Sequence, residues 1–169
     1  MKEGTRRLLI ACLALLPLSA VPAHELRAPE EAVILVMSGN ITHTNVGDEA
    51  HFDRRMLEAL PWQRIETSTP WTNGVREYRG PLARALLAAV GAEGKVARVT
   101  ALNNFMAEIP VADFHRHDVI LAMERDGERM AIRDQGPLFV LYPFDEDPAL
   151  RNETIRFRSV WQVHQIRVE

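Results

Sequence analysis

Short stretches that alternate apolar and polar residues, or are apolar throughout, recur along the chain after residue 31 and predict strands. Turn residues such as glycine, asparagine and proline separate them. The predicted strands are residues 32–37, 63–68, 95–102, 118–123, 128–132, 137–142 and 159–168. The strands on either side of residues 125–127 are typical of a hairpin. The strand at 137–142 is apolar throughout, which favours a central position in a sheet.

Helical spacing of apolar residues is confined to two segments. Residues 53–60 show it and stop at Pro61, and residues 82–90 show it between a Gly-Pro pair and Gly91. A shorter turn or helix and a polar loop are expected at residues 111–114 and 145–152. Many short strands with two or three short helices predict the α+β class.

The last predicted strand changes its apolar phase. Trp161 and Val163 set one phase, and Ile166 and Val168 follow the opposite one. Because successive side chains of a strand point to opposite faces, this change predicts a β-bulge or burial on both faces.

Residues 1–23 have the layout of a secretory signal peptide, with basic residues, an apolar run and then small residues. We expect cleavage after Ala23 and export to the periplasm. The apolar run at residues 8–18 is too short to span a bilayer. A flexible lead-in at 24–31 and one domain at 32–169 are expected to follow.

Cys12 is the only cysteine of the chain. Residues 9–12 resemble a lipoprotein cleavage box, but most of the apolar run follows the cysteine, which disfavours lipidation. Cleavage after Ala23 would remove this thiol and leave no disulfide, thiolate ligand or cysteine nucleophile. It would also change the formal net charge from −3 to −5, by loss of three basic residues and one acidic residue. That charge gives no electrostatic case for nucleic acid or an anionic membrane surface.

Residues 66–74 combine a large aromatic ring with short hydroxyl side chains after a predicted strand. Pro70 lacks a backbone donor and an Asn-Gly pair follows, so the strand should end here. Trp71 then lies beside Thr69 and Thr72, a combination that suits a flat ligand with polar edges. The alternative is a core tryptophan beside an ordinary loop.

Other predicted strand ends also carry polar or aromatic groups. They are Asn103, Asn104 and Phe105; Arg133 and Asp134; and Arg158, Ser159 and Trp161. Amides, a carboxylate and an aromatic ring can together bind the edge of a heterocycle, and a carboxylate matches the two parallel donors of an amino-pyrimidine edge. The alternatives are a turn held by asparagine hydrogen bonds at 103–104 and a turn ion pair at 133–134.

Patterns typical of catalysis are weak. Ser38 and Ser68 lack the spacing of a nucleophile elbow. The histidines are scattered along the chain. His115 and His117 beside Asp113 form a candidate for weak metal chelation, with a solvated turn as the alternative.

An ordered series of short motifs covers nearly all of the chain after residue 31. The motifs are Thr69-Pro70-Trp71-Thr72, Tyr78-x-Gly80-Pro81-Leu82, Ala101-Leu102-Asn103-Asn104-Phe105, Ile109-Pro110, Asp126-Gly127, Gly136-Pro137-Leu138-x-x-x-Tyr142-Pro143 and Ser159-Val160-Trp161-Gln162-Val163. In this order they resemble the small bacterial periplasmic proteins with the sulfite-oxidase, or molybdopterin-binding, fold. The resemblance implies mixed β-sheets with a few short helices.

The resemblance also implies how this chain departs from the large enzymes of that superfamily. Those enzymes hold molybdenum through a cysteine at the position of Thr69-Pro70-Trp71, and the cofactor's phosphate through a lysine that is missing from Ser159-Val160-Trp161-Gln162. We therefore expect no molybdenum, no catalytic residue and no metal ligand. A pterin pocket is expected at Thr69, Trp71, Thr72, Asn103, Asn104, Phe105, Arg133, Asp134 and Trp161.

Members with this pattern act as periplasmic pterin-binding proteins that regulate a membrane-bound cyclic-di-GMP diguanylate cyclase–phosphodiesterase. The resemblance implies a pterin of the reduced or oxidised tetrahydropterin type as ligand, the periplasmic domain of such an enzyme as partner, and a role in biofilm regulation. Asn104 stands where relatives often have aspartate, which leaves Asp134 as the carboxylate. The alternatives are a molybdenum-cofactor oxidoreductase, or a subunit of one, and an adaptor that has lost its ligand.

Overall fold

Eleven strands and four short helices make up residues 26–169, the part of the chain that this computed structural model describes. The strands are β1 Val33–Gly39, β2 Ala50–Asp53, β3 Trp62–Ser68, β4 Val75–Pro81, β5 Val96–Ala101, β6 Met106–Pro110, β7 Ile120–Ala122, β8 Glu124–Arg125, β9 Glu128–Arg129, β10 Phe139–Leu141 and β11 Val163–Val168. The helices are α1 Arg54–Glu58, α2 Ala83–Ala89, α3 Val111–Arg116 and α4 Glu153–Arg158, with 3-10 turns at Ile132–Asp134 and Pro148–Leu150. The predicted α+β class is confirmed. The predicted cleavage after Ala23 lies outside the described residues.

The largest sheet has the strand order β2-β1-β11-β5-β6. Its central strand, β11, comes from the end of the chain. It runs parallel to β1, with Val36 opposite Gln165, and antiparallel to β5, with Ile166 opposite Val99. The register of β11 against β5 shifts between Val163 and Gln165, where the apolar phase changes. The predicted β-bulge is therefore confirmed.

A second sheet has the order β3-β4-β8-β9. β3 and β4 pair along their whole length, and β8 and β9 form a hairpin. Asp126 and Gly127 connect the hairpin with φ angles of 53° and 80°, as a tight two-residue turn requires. The predicted hairpin is confirmed, although each of its strands has only two residues.

The strand predicted to be central at residues 137–142 is buried but not central. β10 pairs with β7 alone, as a two-stranded ribbon. The N–H of Val140 also donates to the carbonyl oxygen of Val160 at 2.8 Å, in the loop before β11. The prediction was wrong because an apolar strand can be buried by packing on its faces without having a paired strand at each edge.

The apolar pattern missed β2, β4, β6, the two-residue strand β8 and α4. Helix α4 begins after Asn152, whose Oδ1 accepts the N–H of Ile155 at 2.9 Å. It buries only Ile155, so its sequence has no periodic apolar face to reveal it. The last strand consequently begins at Val163 rather than at residue 159, and the expected polar loop contains a 3-10 turn.

The predicted helices are otherwise present with shifted ends. α1 and α2 are shorter than predicted, and α3 is two residues longer. Gly91 follows α2 with a φ of 57°, the left-handed conformation by which a glycine ends a helix, as its place after the predicted helix indicates. Gly80 and Pro81 belong to β4 instead of opening α2. A Cβ at Gly80 would collide with the carbonyl oxygen of Leu121, because β4 and β7 approach closely there.

Asp53 connects α1 to the first described residues. Its Oδ1 accepts the N–H of Met56 at 2.9 Å, and its Oδ2 accepts those of Glu30 at 2.6 Å and Glu31 at 3.0 Å. Burial raises the pKa of Asp53, but these hydrogen bonds and the charge of Arg27 lower it by more, so the pKa lies below its usual range.

One hydrophobic core joins the sheets and helices. Its largest fully buried side chains include Phe52, Tyr78, Phe114, Phe139, Tyr142 and Phe144. Among residues 26–169, no helix has the length and apolar character needed to cross a membrane.

Candidate ligand-binding site

The Trp71 turn begins where β3 ends at Ser68, as the sequence predicts. Thr69 is buried, and its Oγ1 lies 2.8 Å from the Oγ1 of Thr72 and accepts the N–H of Trp71 at 3.3 Å. The Oγ1 of Thr72 also lies 3.4 Å from the hydroxyl of Tyr78 on β4. The threonine hydroxyls therefore hold the turn in place and orient the tryptophan.

The indole of Trp71 packs in a cluster of four aromatic rings. Its centroid lies 5.2 Å from that of Trp161, 5.9 Å from that of Phe139 and 6.2 Å from that of Phe144. The interplanar angles of 62–75° are those of edge-to-face contacts. Trp71 and Trp161 are each half-buried, whereas both phenylalanines are buried. We call Trp71, Trp161, Phe139 and Phe144 the aromatic cluster.

Gln162 brings the other predicted segments to this cluster. Its carbonyl oxygen accepts the N–H of Leu102 at 2.9 Å, and its own N–H donates to the carbonyl oxygen of Gln135 at 3.0 Å. Its side-chain Nε2 donates to the carbonyl oxygen of Ile132 at 2.8 Å. The turns at residues 103–105 and 133–134 therefore flank the same residue pair, Trp161-Gln162. The three predicted strand ends converge in the fold.

The side chains of these two turns nevertheless make local contacts. The Oδ1 of Asn103 accepts the N–H of Phe105 at 3.0 Å, and Asn104 adopts a φ of 64°. The Nε of Arg133 lies 3.3 Å from the Oδ2 of Asp134, and the Arg133 side chain is 88% exposed. Both turn alternatives from the sequence are therefore present. We call residues 103–105 and 133–134 the rim turns.

An exposed apolar surface begins at the first rim turn. The rings of Phe105 and Phe157 meet edge to face with centroids 5.1 Å apart. Leu102, Phe105, Met106 and Phe157 are all exposed, and we call these four residues the apolar patch. Phe157 was not among the predicted site residues, because it lies on α4, which the apolar pattern did not reveal. An apolar residue between two arginines in a polar segment was the available signal.

A small cavity lies beside the Trp71 turn. It has a volume of about 260 Å³ and is lined by Ser68, Thr69, Pro70, Phe144, Arg151 and Arg156, which we call the arginine cavity. Its arginines had no predicted role, because Arg151 lies in the predicted polar loop and Arg156 in α4, which the apolar pattern did not reveal.

Asp145 anchors one side of the arginine cavity. It accepts the N–H and the hydroxyl of Ser68, both at 2.6 Å, and Nη2 of Arg151 at 2.7 Å. Burial raises the pKa of Asp145, but the Ser68 hydrogen bonds and Arg151 lower it by more, so the pKa lies below its usual range. This network joins the end of β3 to the segment that follows Phe144.

Arg158 and Ser159, from the fourth predicted group, have structural roles. Nη1 of Arg158 and the hydroxyl of Tyr142 both donate to Oδ2 of buried Asp113 at 2.9 Å, and the hydroxyl of Ser159 donates to the carbonyl oxygen of Ile155. Burial, and then the nearby Asp113 carboxylate, raise the pKa of Tyr142 above its usual range.

The Asp113 carboxylate therefore already accepts hydrogen bonds from Tyr142 and Arg158, and it is not arranged as a metal ligand beside the nearby histidines. Across residues 26–169, no group of three or more histidine, cysteine, aspartate or glutamate side chains is placed to hold a metal ion.

No family model and no curated protein matches the chain. Among solved structures, it is similar to the sulfane dehydrogenase SoxCD from Paracoccus pantotrophus, with a TM-score of 0.58 and 19% sequence identity. The match covers 79% of this chain and 37% of that one, so this chain spans little more than a third of its length. At this identity the likeness concerns the fold alone.

Proposed function

We propose that this protein binds a pterin without catalysing its conversion. The observation that carries the proposal is the convergence of the predicted segments at Trp161-Gln162, where Trp71 and Trp161 are both half-buried. Half-buried indoles are held in place by the core and still offer surface to a ligand. Amide groups and the Asp134 carboxylate lie on the flanking rim turns. Along the chain, the rim turns are within a few residues of the groups that hydrogen-bond to Gln162. A flat ring with polar edges matches this combination.

The residues at the two molybdenum-cofactor positions do not fit that cofactor. Thr69-Pro70-Trp71 stand where those enzymes have the cysteine ligand, and the hydroxyl of Thr69 is engaged with Thr72 and the backbone of Trp71. A neutral hydroxyl is a poorer ligand for a soft metal–sulfur cofactor than a thiolate. Gln162 lies in the motif that lacks the phosphate-binding lysine, and its amide donates to Ile132. Neither position supplies the missing thiolate or cation.

We further propose that the protein is exported to the periplasm and reports its ligand to the periplasmic domain of a membrane-bound diguanylate cyclase–phosphodiesterase. The layout of residues 1–23 and the order of the motifs support this proposal. The apolar patch offers the partner a surface, since contiguous exposed apolar side chains are typical of docking sites. Because Phe105 belongs both to the patch and to a rim turn, ligand binding at the turn would alter the docking surface.

Analysis of protein purified gently from periplasm tests the binding proposal. Extracts should contain a fluorescent pterin at about one molecule per protein molecule, identified by chromatography and mass spectrometry, and elemental analysis should find no stoichiometric molybdenum. Stoichiometric molybdenum would favour an oxidoreductase. Absence of both molybdenum and any small heterocycle, with no pterin binding on titration, would favour an adaptor.

The second candidate is a molybdenum-cofactor oxidoreductase or a subunit of one. The fold likeness to a protein named as a sulfane dehydrogenase favours it. The absence of a cysteine at Thr69-Pro70-Trp71 weighs against it. Optical spectra of protein produced in a host that makes the cofactor would show the absorbance bands of a bound metal–dithiolene if this candidate is right.

A further inference from the structure

We propose that the arginine cavity binds a small oxyanion, either a phosphate monoester or a carboxylate. The cavity volume of about 260 Å³ is below the range of about 300–1,000 Å³ that is common for whole small-molecule ligands. It therefore suits a single charged group. The site does not depend on pterin binding. Two of its lining residues are nevertheless shared with the pterin site, because Thr69 belongs to the Trp71 turn and Phe144 to the aromatic cluster.

The charges around the cavity do not cancel. Arg151 is balanced by Asp145, which accepts its Nη2 at 2.7 Å. Arg156 is exposed and has no ion-pair or side-chain hydrogen-bond partner among residues 26–169. The cavity thus carries a net positive charge in a protein whose formal net charge is −3. Such local excess of positive charge attracts an anion.

The donors of the cavity are also held in position. Arg151 donates through Nε to the carbonyl oxygen of Phe144 at 3.1 Å and through Nη2 to Asp145, which fixes the plane of its guanidinium. A guanidinium has five N–H donors, so about three remain for a ligand. Its planar fork is suited to two oxygens of a phosphate or carboxylate.

Arg156 projects from a helix that is anchored at both ends. Asn152 caps the start of α4, Ile155 is buried, and the hydroxyl of Ser159 donates to the Ile155 carbonyl oxygen at 2.8 Å. The two arginines therefore approach the cavity from separate, fixed segments. Ser68 and Thr69 line the third side of the cavity.

A nuclear magnetic resonance titration with inorganic phosphate at low ionic strength tests the site. Saturable shifts of the Ser68 and Thr69 amides should give a dissociation constant of about 1 mM, and Arg156→Gln should weaken binding at least about ten-fold. Arg116→Gln is the matched control, because Arg116 is also exposed on a six-residue helix, α3, and the charge change is the same. This control should leave the phosphate affinity within about two-fold of the unmodified protein.

A second titration identifies the source of the oxyanion by comparing pterin with pterin-6-carboxylate. A preference for the carboxylate that disappears in Arg156→Gln assigns the oxyanion to the ligand's side chain. Arg156-dependent phosphate binding without that preference assigns the cavity to a free ion or another phosphate ester. Either result supports the site. Non-saturable shifts, or equal weakening by Arg156→Gln and Arg116→Gln, would overturn it, whatever the outcome for pterin itself.

Discussion

The aromatic cluster and the rim turns lie side by side, yet they are built in different ways. Trp71 meets three rings at centroid distances of 5.2–6.2 Å, and two of those rings are buried. Among residues 26–169, the side chains of the rim turns hydrogen-bond only within their own turns, as Asn103 does with Phe105 and Arg133 with Asp134. The cluster belongs to the core, whereas the rim turns rest on it through the backbone bonds of Gln162.

This difference separates stability from selectivity. A ring held by core neighbours provides a fixed surface at low entropic cost, so changes to it should affect both folding and binding. An exposed turn contributes little to folding, so changes to it should affect ligand choice alone. The predictions below test that separation, from the largest expected effect on the free energy of unfolding to the smallest.

Trp71→Ala should lower the free energy of unfolding by about 2–4 kcal/mol, because it removes a half-buried indole and three edge-to-face contacts. The folded variant should also lose pterin affinity by at least about ten-fold, since base–aromatic stacking is worth about 1–3 kcal/mol. Urea unfolding and titration calorimetry measure the two effects.

Trp62→Ala is the control: Trp62 is also half-buried, and its Nε1 donates to the Leu57 carbonyl oxygen away from the cluster. It should reduce stability and leave affinity unchanged; equal loss of affinity in both variants would contradict the assignment.

Asp145→Asn should lower the free energy of unfolding by about 1–3 kcal/mol at pH 7, because hydrogen bonds to a charged acceptor are lost. Its pKa is lowered in the folded state, so its stabilising effect is complete above the ordinary pKa of 3.8 and fades as the pH falls through the folded-state pKa. The difference between the two proteins should therefore shrink below about pH 4. Denaturant unfolding across this pH range measures it. The exposed carboxylate change Asp48→Asn is the control and should leave the free energy of unfolding at pH 7 within about 0.5 kcal/mol.

Asp134→Asn should leave the free energy of unfolding within about 0.5 kcal/mol, because an exposed ion pair contributes little. It should weaken pterin binding by about ten-fold if the carboxylate receives the two donors of the pyrimidine edge. Asn104→Asp should tighten binding, and the positive φ at that position remains accessible to aspartate. Titration calorimetry on both variants decides the matter, and unchanged affinity in each would remove the rim turns from the ligand site.

Phe157→Ser should change the free energy of unfolding least, because Phe157 is 56% exposed and its ring packs against that of Phe105, which is itself exposed. It should nevertheless weaken capture of the periplasmic domain of the proposed cyclase–phosphodiesterase by at least about ten-fold. Val75→Ser removes an equally exposed apolar side chain at the start of β4 and should leave capture intact. Equal capture by the unmodified protein, Phe157→Ser and Val75→Ser would rule out the apolar patch as the docking surface.

The apolar pattern predicted the elements whose burial is regular. β3 and β5 lie within a residue of their predicted positions, and the phase change near Val163 correctly indicated a bulge. Helix α4 escaped prediction because it buries only Ile155. The place of β10 was also wrong, since apolar composition reports burial and carries no information on which strand edges are paired.

By itself, the sequence determined the local features of the candidate site: a turn at Pro70, the nearby tryptophan and threonines, and a chain without cysteine after residue 12. Local conformation follows from nearby residues, because proline, glycine and short hydroxyl side chains restrict or cap the backbone directly. Tertiary structure alone decided that Trp71 meets Trp161 and that Ser68 shares Asp145 with Arg151. Ser68 and Asp145 are separated by 77 residues along the chain, and Trp71 and Trp161 are farther apart still. Trp161 is positioned by the strand that follows it, because β11 pairs between β1 and β5 in the middle of the largest sheet.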